Sequence, residues 1–517
     1  MKYLIGIDVG THALRCCLFD LDGNKVSDAS VSYETSMPRE SWVEQNPDNW
    51  WAALIEALRQ VMRGSGIKGE EVAALSYACT SCTVVVLDRQ GQPLRPAVMW
   101  MDERAYREAE LITATRHPHL RYCGGEVSPQ WMLPKALWLS KHEPEIFQRA
   151  YRIVEQTDYF TYHLTGRWTI SQNNATSKWN YVSLLGGFAS DLITAIGAVE
   201  IAAKWPEVIM AAASPVGRLR PEIAEMVGLS SSTLVVQGGI DAHAAMAGLT
   251  AIQPGDVSIV VGTSTCLMAQ SLVPVFANVW GPYPDSVMKG VFTLGGGQTT
   301  TGAIIDWLLG LAASAGSEDF LINLDKQAED IPAGSEGLVA LDFFQGNRNP
   351  YKDPQARGAV WGLTLRHGLP HLCRAFYEAI AFGVRNILED LSAHDYRPNR
   401  VLAGGGGAKS RLWMQIHADV IGLPIQFCQE AESTALGAAI WAGVGAGLFG
   451  DFTEASARMV RLAGVLSPNP EVKAIYDFYY RKYVDTYKAL RPLMHEVVAF
   501  EEERTGRTES PCGGFPA

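Results

Sequence analysis

The chain has 517 residues, of which 47% are hydrophobic and 19% charged, and its formal net charge is −12. This length exceeds the size at which one hydrophobic core keeps growing, so two large domains are expected. The acidic balance argues against a surface for nucleic acid or for an anionic membrane. No apolar run reaches the roughly 18 residues that a membrane span requires. A phosphate-bearing ligand would need local donors or a metal ion.

The N-terminus and the cysteines both predict a cytoplasmic protein. Lys2 is followed at once by an apolar run that carries Asp8, which does not fit a signal peptide. The nine cysteines are an odd number without framework spacing, so reduced thiols are expected. Cys79 and Cys82 have redox or zinc spacing, but no second pair completes a zinc site, and packing or substrate lining is favoured over metal binding.

The first 21 residues predict a strand, a turn and a second strand. The apolar run 3–7 ends at Asp8, the turn holds Gly10 and Thr11, and the apolar run 18–21 follows. Gly10 would let backbone N–H groups approach a phosphate, Thr11 adds a hydroxyl donor, and Asp8 could hold a hydrated Mg²⁺. The same pattern is also common in hairpins that bind no phosphate, so a role in phosphate binding depends on whether the pattern recurs along the chain.

Strands and helices alternate through the first half of the chain. Asn46 and Pro47 form a helix start signal, and Gly166 is typical of a helix C-terminus. Helices are predicted at 46–62, 105–111, 134–140 and 158–166, and strands at 72–77, 83–87 and 233–238.

The opening pattern then recurs. The apolar run 257–261 meets Gly262 and Thr263, and a second apolar run follows at 266–268. Hydropathy, turn chemistry and spacing agree with residues 3–21, although identity is low. We therefore expect a duplicated domain with two turns that face each other as a phosphate clamp, and a boundary near 250–255.

A third glycine-rich element follows a predicted strand at 400–403. Residues 404–407 are four glycines, and a helix is predicted at 411–421. Consecutive glycines let the backbone lie against a ligand, and the helix N-terminus favours an anion. A Walker A motif and a turn for close helix packing are the alternatives, the first weakened by alanines where that motif has glycines. The small-residue segment 436–440 is expected to pack beneath the same pocket.

With these elements in order, the chain resembles the FGGY carbohydrate kinases of the actin-like ATPase superfamily over residues 1–490. The segments that carry the resemblance are the first turn Asp8, Gly10 and Thr11 with Arg15, the motif 238–243, the second turn 262–265, Gly297, Gln298, Gly302 and Trp307, the stretches 346–350 and 353–358, and the glycine loop 404–407. The resemblance implies an α/β fold of two actin-like ATPase (ribonuclease H-like) domains with a cleft between them. It implies a sugar-binding domain at 1–250 and an ATP-binding domain at 251–490, before a disordered tail at 491–517.

The resemblance also implies roles for single residues. Asp241 would be the general base, and Asp8 with Asp241 would hold Mg²⁺. A small-molecule sugar would be the partner, in a homodimer of the kind usual for relatives. The residues implied to contact ATP are Gly10, Thr11, Arg15, Gly262, Thr263, Gln298, Gly302, Gly405 and Gly406. Those implied to contact the sugar are Ser81, Cys82, Trp100, Lys135 and Asp241.

Within the family, the segments 100–104, 122–125 and 131–135 are most similar to the ribulokinase-like branch. L-ribulokinases usually carry a substrate-binding Glu where this chain has Gly295. The D-ribulokinase branch tends toward Thr-Cys-Ser where residues 81–83 are Ser-Cys-Thr. His12 also stands where a hydroxyl residue is common in the first turn. The resemblance implies a ketopentose such as ribulose or xylulose, and the departures at Gly295 and 81–83 leave a pentitol or a tetrulose as the alternative acceptor.

Simpler roles remain open for several of these residues. Asp241 also fits a helix N-cap, Arg15 an ion pair, Lys135 a solvated helix face and Trp100 a core position. Two other classes of protein share parts of the pattern. An actin-like ATPase that does not act on sugars would have no reason to keep 100–104 and 122–135, and a sugar sensor would have little need for both turns and both aspartates.

Overall fold

The computed structural model describes residues 2–311 and 318–505. The strands of the first half are β1 (Tyr3–Val9), β2 (Ala13–Asp20), β3 (Lys25–Ser32), β4 (Ser36–Arg39), β5 (Trp42–Gln45), β6 (Val72–Cys79), β7 (Val84–Leu87), β8 (Ala97–Val98), β9 (Arg152–Glu155), β10 (Ile170–Ser171), β11 (Ile209–Met210), β12 (Pro215–Arg218), β13 (Leu234–Val236) and β14 (Gly239–Ile240). Its helices are α1 (Pro47–Ser65), α2 (Tyr106–Ala114), α3 (Met132–His142), α4 (Pro144–Arg149), α5 (Gln156–Thr165), α6 (Gln172–Lys178), α7 (Ser190–Ala195), α8 (Val199–Ala202), α9 (Pro221–Val227) and α10 (Asp241–Gly248).

The second half repeats the mixture of strands and helices. Its strands are β15 (Asp256–Val261), β16 (Thr265–Ser271), β17 (Trp280–Pro284), β18 (Phe292–Gln298), β19 (Val339–Leu341), β20 (Ala359–Trp361), β21 (Arg400–Gly404), β22 (Ile425–Cys428) and β23 (Leu462–Leu466). Its helices are α11 (Gly302–Gly310), α12 (Glu318–Glu329), α13 (Leu369–Ala393), α14 (Arg411–Ile421), α15 (Ser433–Gly445), α16 (Phe452–Met459) and α17 (Lys473–Thr505).

The helix ends follow the local signals in the sequence. The side chain of Asn46 accepts a hydrogen bond from the backbone N–H of Asp48, Pro47 begins α1, and Gly66 ends it with a φ of 66°. Gly166 ends α5 in the same left-handed conformation, with a φ of 75°. A glycine lacks the Cβ that penalises this conformation. These contacts confirm the predicted helices at 46–62 and 158–166.

The two halves share one sheet pattern, which confirms the predicted duplication. The first sheet has the order β12-β13-β6-β1-β2-β3, with β1 antiparallel to β2 and parallel to β6. The second has the order β17-β18-β16-β15-β21-β22-β23, with β15 antiparallel to β16 and parallel to β21. Each half therefore centres on a hairpin with a parallel strand beside it, and the predicted hairpins at 3–21 and 257–268 are confirmed.

The halves meet through helices α10 and α15, at positions where only glycine fits. A Cβ on Gly437 would lie 1.8 Å from the Ala244 carbonyl oxygen, and one on Gly248 would lie 1.9 Å from that of Ser433. Helix α15 also packs on β1 and β6, so part of the second half completes the first core. The close packing predicted for segment 436–440 is confirmed, whereas its place beneath the pocket of the glycine loop and the division of the chain near residue 250 stay predictions.

The chain end differs from the disordered tail expected at 491–517. Helix α17 continues to Thr505, with Met494 and Val498 buried one turn apart. The side chain of His495 also lies 2.8 Å from an Asp353 carboxylate oxygen. The expectation was wrong for 491–505, where apolar residues at helical spacing continue the helix. Residues 506–517 lie outside the described part of the chain.

Two findings bear on the expected environment of the protein. Among the described residues, no helix is both long enough and apolar enough to cross a membrane. The eight cysteines that the structure describes are all free thiols.

Candidate active site

A cavity of about 330 Å³ is lined by residues from both halves of the chain. Its lining includes Asp8, Gly10, Thr11, Ser81, Trp100, Gln130, Lys178, Asp241, Val260, Ser264, Cys266, Trp280, Gly295 and Arg348. Of the residues singled out in the sequence, this cavity brings together both aspartates, the first turn, and two of the expected sugar contacts.

The first hairpin, β1–β2, is held at its turn by a backbone hydrogen bond and by side chains from distant segments. The backbone N–H of Gly10 donates to the Ala13 carbonyl over 3.0 Å. The indole N–H of Trp100 donates to the Thr11 hydroxyl over 3.1 Å, and the Gln45 amide donates to the Thr11 carbonyl over 2.6 Å. Trp100 therefore connects the expected sugar side of the cavity to the turn.

Two carboxylates face each other in the cavity. Burial, followed by the negative charge of Asp241, raises the pKa of Asp8 to about 7, although Arg15 acts against this. Burial also raises the pKa of Asp241 to about 6, opposed by the backbone N–H of Ala242 and by the charge of Lys178. Two buried like charges are unfavourable together, and a cation between them would relieve both.

The carboxylate pair fits a hard divalent cation. Mg²⁺ prefers oxygen ligands and usually keeps several waters beside one or two carboxylates and substrate phosphates. Among the described residues, no group of three or more His, Cys, Asp or Glu side chains could form a complete protein cage. Asp8 and Asp241 would hold such an ion only together with water and phosphate oxygens.

Asp241 is the first residue of α10, and Ile240 occupies the N-cap position. The Asp241 carboxylate accepts a hydrogen bond from the Ala242 N–H over 2.6 Å. Asp241 therefore lies one residue after the N-cap position that was considered for it.

Arg15 lies outside the cavity lining. Its guanidinium is 3.7 Å from the Asp8 carboxylate and 3.7 Å from that of Glu432. The ion-pair role considered for Arg15 is the one that this geometry favours, and contact with ATP stays a prediction.

The second hairpin, β15–β16, is held at its turn by the start of α11, through backbone N–H groups and through the Thr301 hydroxyl, which donates to the Gly262 carbonyl over 2.9 Å. The N–H groups of Gly302 and Thr301 donate to the carbonyls of Gly262 and Thr263, each over 2.9 Å. A Cβ on Gly302 would lie only 2.6 Å from the Gly262 oxygen. The start of α11 therefore fixes the turn and requires glycine at position 302.

Two other residues predicted to contact ATP have different surroundings. Gln298 is buried away from the cavity, and its amide donates to Asp342 over 2.7 Å and to the Ile380 carbonyl over 2.9 Å. Gly405 has a φ of 86°, and a Cβ there would lie 2.5 Å from the Val261 oxygen. The glycine loop thus lies against the end of β15, beside the second turn, and the surroundings of Gly406 are open.

On the expected sugar side, Ser81 and Trp100 line the cavity, whereas Cys82 and Lys135 are buried behind it. The Lys135 ammonium donates to the carbonyls of Cys82 and Met99 over 2.8 and 2.6 Å. Burial lowers the pKa of Lys135 to about 8. Lys135 therefore ties together the two segments that present Ser81 and Trp100.

The cavity residues that sequence reasoning missed include Gln130, Lys178 and Trp280. Arg348 lay within a stretch noted only for its resemblance. Lys178 ends a short polar helix and Trp280 begins a strand, so neither stood in a pattern typical of a site. Only the fold brings them to one place.

Comparisons with known proteins agree with this geometry. The N-terminal domain of the FGGY family of carbohydrate kinases matches residues 3–248, and the C-terminal domain matches residues 257–446. A Xenopus laevis FGGY carbohydrate kinase domain-containing protein is 32% identical, over 93% of this chain and 96% of that protein. A Geobacillus thermodenitrificans ribulokinase is 30% identical, over 93% of each chain.

A solved xylulose kinase from Rhodospirillum rubrum superposes with a TM-score of 0.84 at 28% identity, over 96% of this chain and all of that one (100%). The α/β fold with two actin-like ATPase domains is thereby confirmed. The chain belongs to the FGGY family of carbohydrate kinases and is a phosphotransferase with an alcohol group as acceptor.

Proposed function

We propose that this kinase transfers the γ-phosphoryl group of ATP to a hydroxyl of a ketopentose, ribulose or xylulose, with Asp241 as the general base. The observation that carries the proposal is the Asp241 carboxylate, which lies in a cavity lined by both halves and close to Asp8. Relatives named ribulokinase and xylulose kinase support a ketopentose as acceptor.

The chemistry of Asp241 suits this role. A pKa of about 6 leaves the carboxylate ionised at neutral pH and still basic enough to accept a proton. The sugar hydroxyl oxygen forms a bond to the γ-phosphorus, and its proton passes to Asp241. The bond from that phosphorus to the β–γ bridging oxygen breaks, and ADP leaves with the electron pair.

The two hairpins would hold ATP from opposite sides. Backbone N–H groups near Gly10 and Gly262, with the hydroxyls of Thr11 and Thr263, would bind the phosphates. Asp8 and Asp241 would hold Mg²⁺, which when bound neutralises phosphate charge. In this proposal residues 1–250 carry the acceptor and 251–490 carry the nucleotide.

A screen of acceptors tests the proposal. ADP release would be measured with ketopentoses, tetruloses and pentitols, and compared as kcat/KM. We expect release only with an acceptor present, and the highest kcat/KM with ribulose or xylulose. A higher value for a pentitol or tetrulose would change the acceptor, and ADP release independent of sugar would support an ATPase instead.

A further inference from the structure

A buried carboxylate lies behind the acceptor side of the cavity. Glu155 is the last residue of β9, and its side chain is buried. One of its oxygens accepts hydrogen bonds from the Ser81 hydroxyl over 2.9 Å and from the Asn174 amide over 2.8 Å. The other oxygen accepts a hydrogen bond from the Trp179 indole N–H. Glu155 lies outside the cavity lining, whereas Ser81 belongs to it.

The groups that donate to Glu155 are neutral. Glu155 also interacts electrostatically with the ammonium groups of Lys135 and Lys178. Burial raises the pKa of Glu155, and hydrogen bonds from the surrounding side chains act against this rise. Unlike an amide of the same shape, an ionised carboxylate accepts at both oxygens and donates at neither. Glu155 therefore fixes the direction of every hydrogen bond that is made to it.

This fixed direction decides what Ser81 can offer to a ligand. A serine hydroxyl has one proton and two lone pairs. The proton of Ser81 points to Glu155, and the Asn174 amide donates to the same hydroxyl over 3.4 Å. What remains for the cavity is a lone pair. Ser81 can therefore accept a hydrogen bond from a ligand but cannot donate one.

Ser81 and Asp241 follow neighbouring strands at the same edge of the first sheet. Strand β14 runs parallel to β6, with Ile240 beside Cys79. Asp241 directly follows Ile240, and Ser81 lies two residues after Cys79. Both side chains line the cavity. Since neighbouring strands are about 4.8 Å apart, one small acceptor can contact Ser81 and Asp241 together.

We propose that Glu155 is a positioning residue that makes Ser81 a hydrogen-bond acceptor for a second hydroxyl of the sugar, beside the one that is phosphorylated. This inference rests on the phosphoryl transfer proposed above and concerns the choice of acceptor alone. Glu155 acts only through Ser81 and contacts neither sugar nor phosphate. A sugar hydroxyl donates to Ser81, whereas a carbonyl oxygen or a fluorine at that place meets its lone pair. The cavity therefore selects acceptors that carry a hydroxyl there.

Glu155→Gln reverses the direction of this hydrogen bond with little change in shape. The Trp179 indole only donates, so the carbonyl oxygen of the glutamine must face it. The glutamine amine then donates to Ser81, whose own proton turns to the cavity. Among the described residues the Asn174 carbonyl oxygen has no hydrogen-bond partner, so a rotated Asn174 amide can accept from the same amine. Ser81 thereby becomes a donor.

Deoxy and deoxyfluoro sugars measure this reversal. Analogues of ribulose and xylulose would carry hydrogen or fluorine in place of one hydroxyl other than the transferred one. Fluorine accepts weakly and never donates. At one position we expect kcat/KM of the fluoro analogue to be about threefold below that of the deoxy analogue with the wild type, and about threefold above it with Glu155→Gln. A merely structural role for Glu155 would lower activity without reversing this ratio, and a ratio that reverses at no position would overturn the proposal.

Two further variants serve as controls. Ser81→Ala removes the hydroxyl and should bring the fluoro-to-deoxy ratio at the same position close to 1. Glu378→Gln is matched to Glu155→Gln, because Glu378 is also buried and accepts from the Ser335 hydroxyl over 2.9 Å, in the core of the second half. The ratio in Glu378→Gln should equal that of the wild type. If Glu155→Gln does not fold, Ser81→Ala decides, and an unchanged ratio at every position overturns the proposal.

Failure of this inference is distinguishable from failure of the proposed function. ADP release with ribulose or xylulose, without the reversal, overturns only the role of Glu155. If no acceptor supports ADP release, the proposed function fails. Titration calorimetry of the same analogues then decides this inference alone: a ratio of affinities that reverses in Glu155→Gln supports it, and an unreversed ratio or the absence of binding overturns it.

Discussion

Two residues before the turn glycine, the first hairpin carries Asp8, whereas the second carries Val260, and both side chains line the cavity. The strand order around each hairpin is the same, with an antiparallel partner and a parallel neighbour. The duplicated backbone therefore offers amide donors from both sides, but it offers a carboxylate from one side only. The two hairpins therefore share their strand arrangement but differ in charge at this equivalent position.

The means of support also differ between the hairpins. The first turn is fixed chiefly by side chains from distant segments, such as Trp100 on Thr11. The second is fixed by one segment, the start of α11, whose backbone N–H groups and Thr301 hydroxyl bond to the carbonyls of Gly262 and Thr263. Substitutions near the first turn should therefore act through charge and side-chain position. Those near the second should act through backbone displacement.

The largest effect is expected at Asp241, which begins α10 and lines the cavity with Asp8 of the first hairpin. Asp241→Asn removes the proposed base with little change in shape, and kcat should fall about 1,000-fold, within the range for general bases. ADP binding without Mg²⁺, measured by calorimetry, should stay within about threefold, since it requires neither proton transfer nor the carboxylates proposed to hold the cation. Phosphorylation at the wild-type rate would show that another group is the base.

Asp8 provides the next largest effect and tests the charge asymmetry directly. Asp8→Asn should lower kcat about 100-fold, because it removes a charge that helps to hold the cation beside the phosphates. Val260→Thr places a polar group of similar shape at the equivalent position of the second hairpin. It should cost less than about threefold, because this half-buried side chain faces the cavity, where water can satisfy the hydroxyl. Equal losses in steady-state kinetics would mean that the hairpins contribute alike.

The same Asp8 substitution should stabilise the unliganded protein. The pKa of Asp8 in the folded state is about 7, against an ordinary 3.8. The folded state thus binds the proton more tightly, so the contribution of Asp8 to the free energy of unfolding falls as pH rises from about 4 to about 7. At pH 8, Asp8→Asn should raise that free energy by about 1–4 kcal/mol in urea unfolding, whereas no gain is expected at pH 4. A lower stability at pH 8 would contradict the burial of this charge.

Gly302 tests the backbone support of the second hairpin. A Cβ there would lie 2.6 Å from the Gly262 oxygen, so Gly302→Ala must displace the turn. We expect the KM for ATP to rise about 10-fold, as small misplacements of binding groups do. Gly310→Ala, at the other end of α11 with open space around it, is the matched control. Equal KM values for ATP in the two variants would show that the position of the second turn does not affect nucleotide binding.

The pH dependence sharpens the comparison further. Ionisation of Asp8, with a pKa of about 7, and of Asp241, with a pKa of about 6, should together govern the acidic limb of kcat/KM in the free enzyme. Activity should fall about twofold from pH 8 to pH 7 and more than about 10-fold further by pH 5. A profile flat down to pH 5 would mean that both carboxylates are ionised there and that burial does not raise their pKa values.

Local patterns in the sequence accounted for the backbone of the site better than for its side chains. The turns at Gly10 and Gly262 follow from apolar runs bounded by glycine, which is a short-range signal. The helix at 411–421 follows similarly from its glycine-rich start and is confirmed with the same bounds. Gln298, by contrast, was expected at the nucleotide, and the structure buries it against Asp342.

Side-chain partners set by tertiary packing were beyond the reach of these patterns. Lys178 and Trp280 meet across about 100 residues of chain, and no local spacing connects them. Residues 491–505 were expected to be disordered, whereas the structure places them in α17, where His495 contacts Asp353 on a distant loop. A single sequence reports periodicity, but it does not report which surfaces meet.

The smallest expected effect concerns Lys135, which supports the first hairpin indirectly, through the segments that it holds. Its ammonium holds the carbonyls of Cys82 and Met99, and the residue after Met99 is Trp100, whose indole bonds to Thr11. Lys135→Met would leave two buried carbonyls without a donor, at a cost of about 1–3 kcal/mol in stability. A merely structural role would leave both KM values unchanged.

We expect instead that the KM for the sugar rises about three- to tenfold while that for ATP stays within about twofold, because Ser81 and Trp100 line the acceptor side. Lys141→Met, on the same helix and half-exposed beside Glu108, is the control. Equal changes in the two KM values would place Lys135 in the general stability of the domain rather than in the positioning of the acceptor.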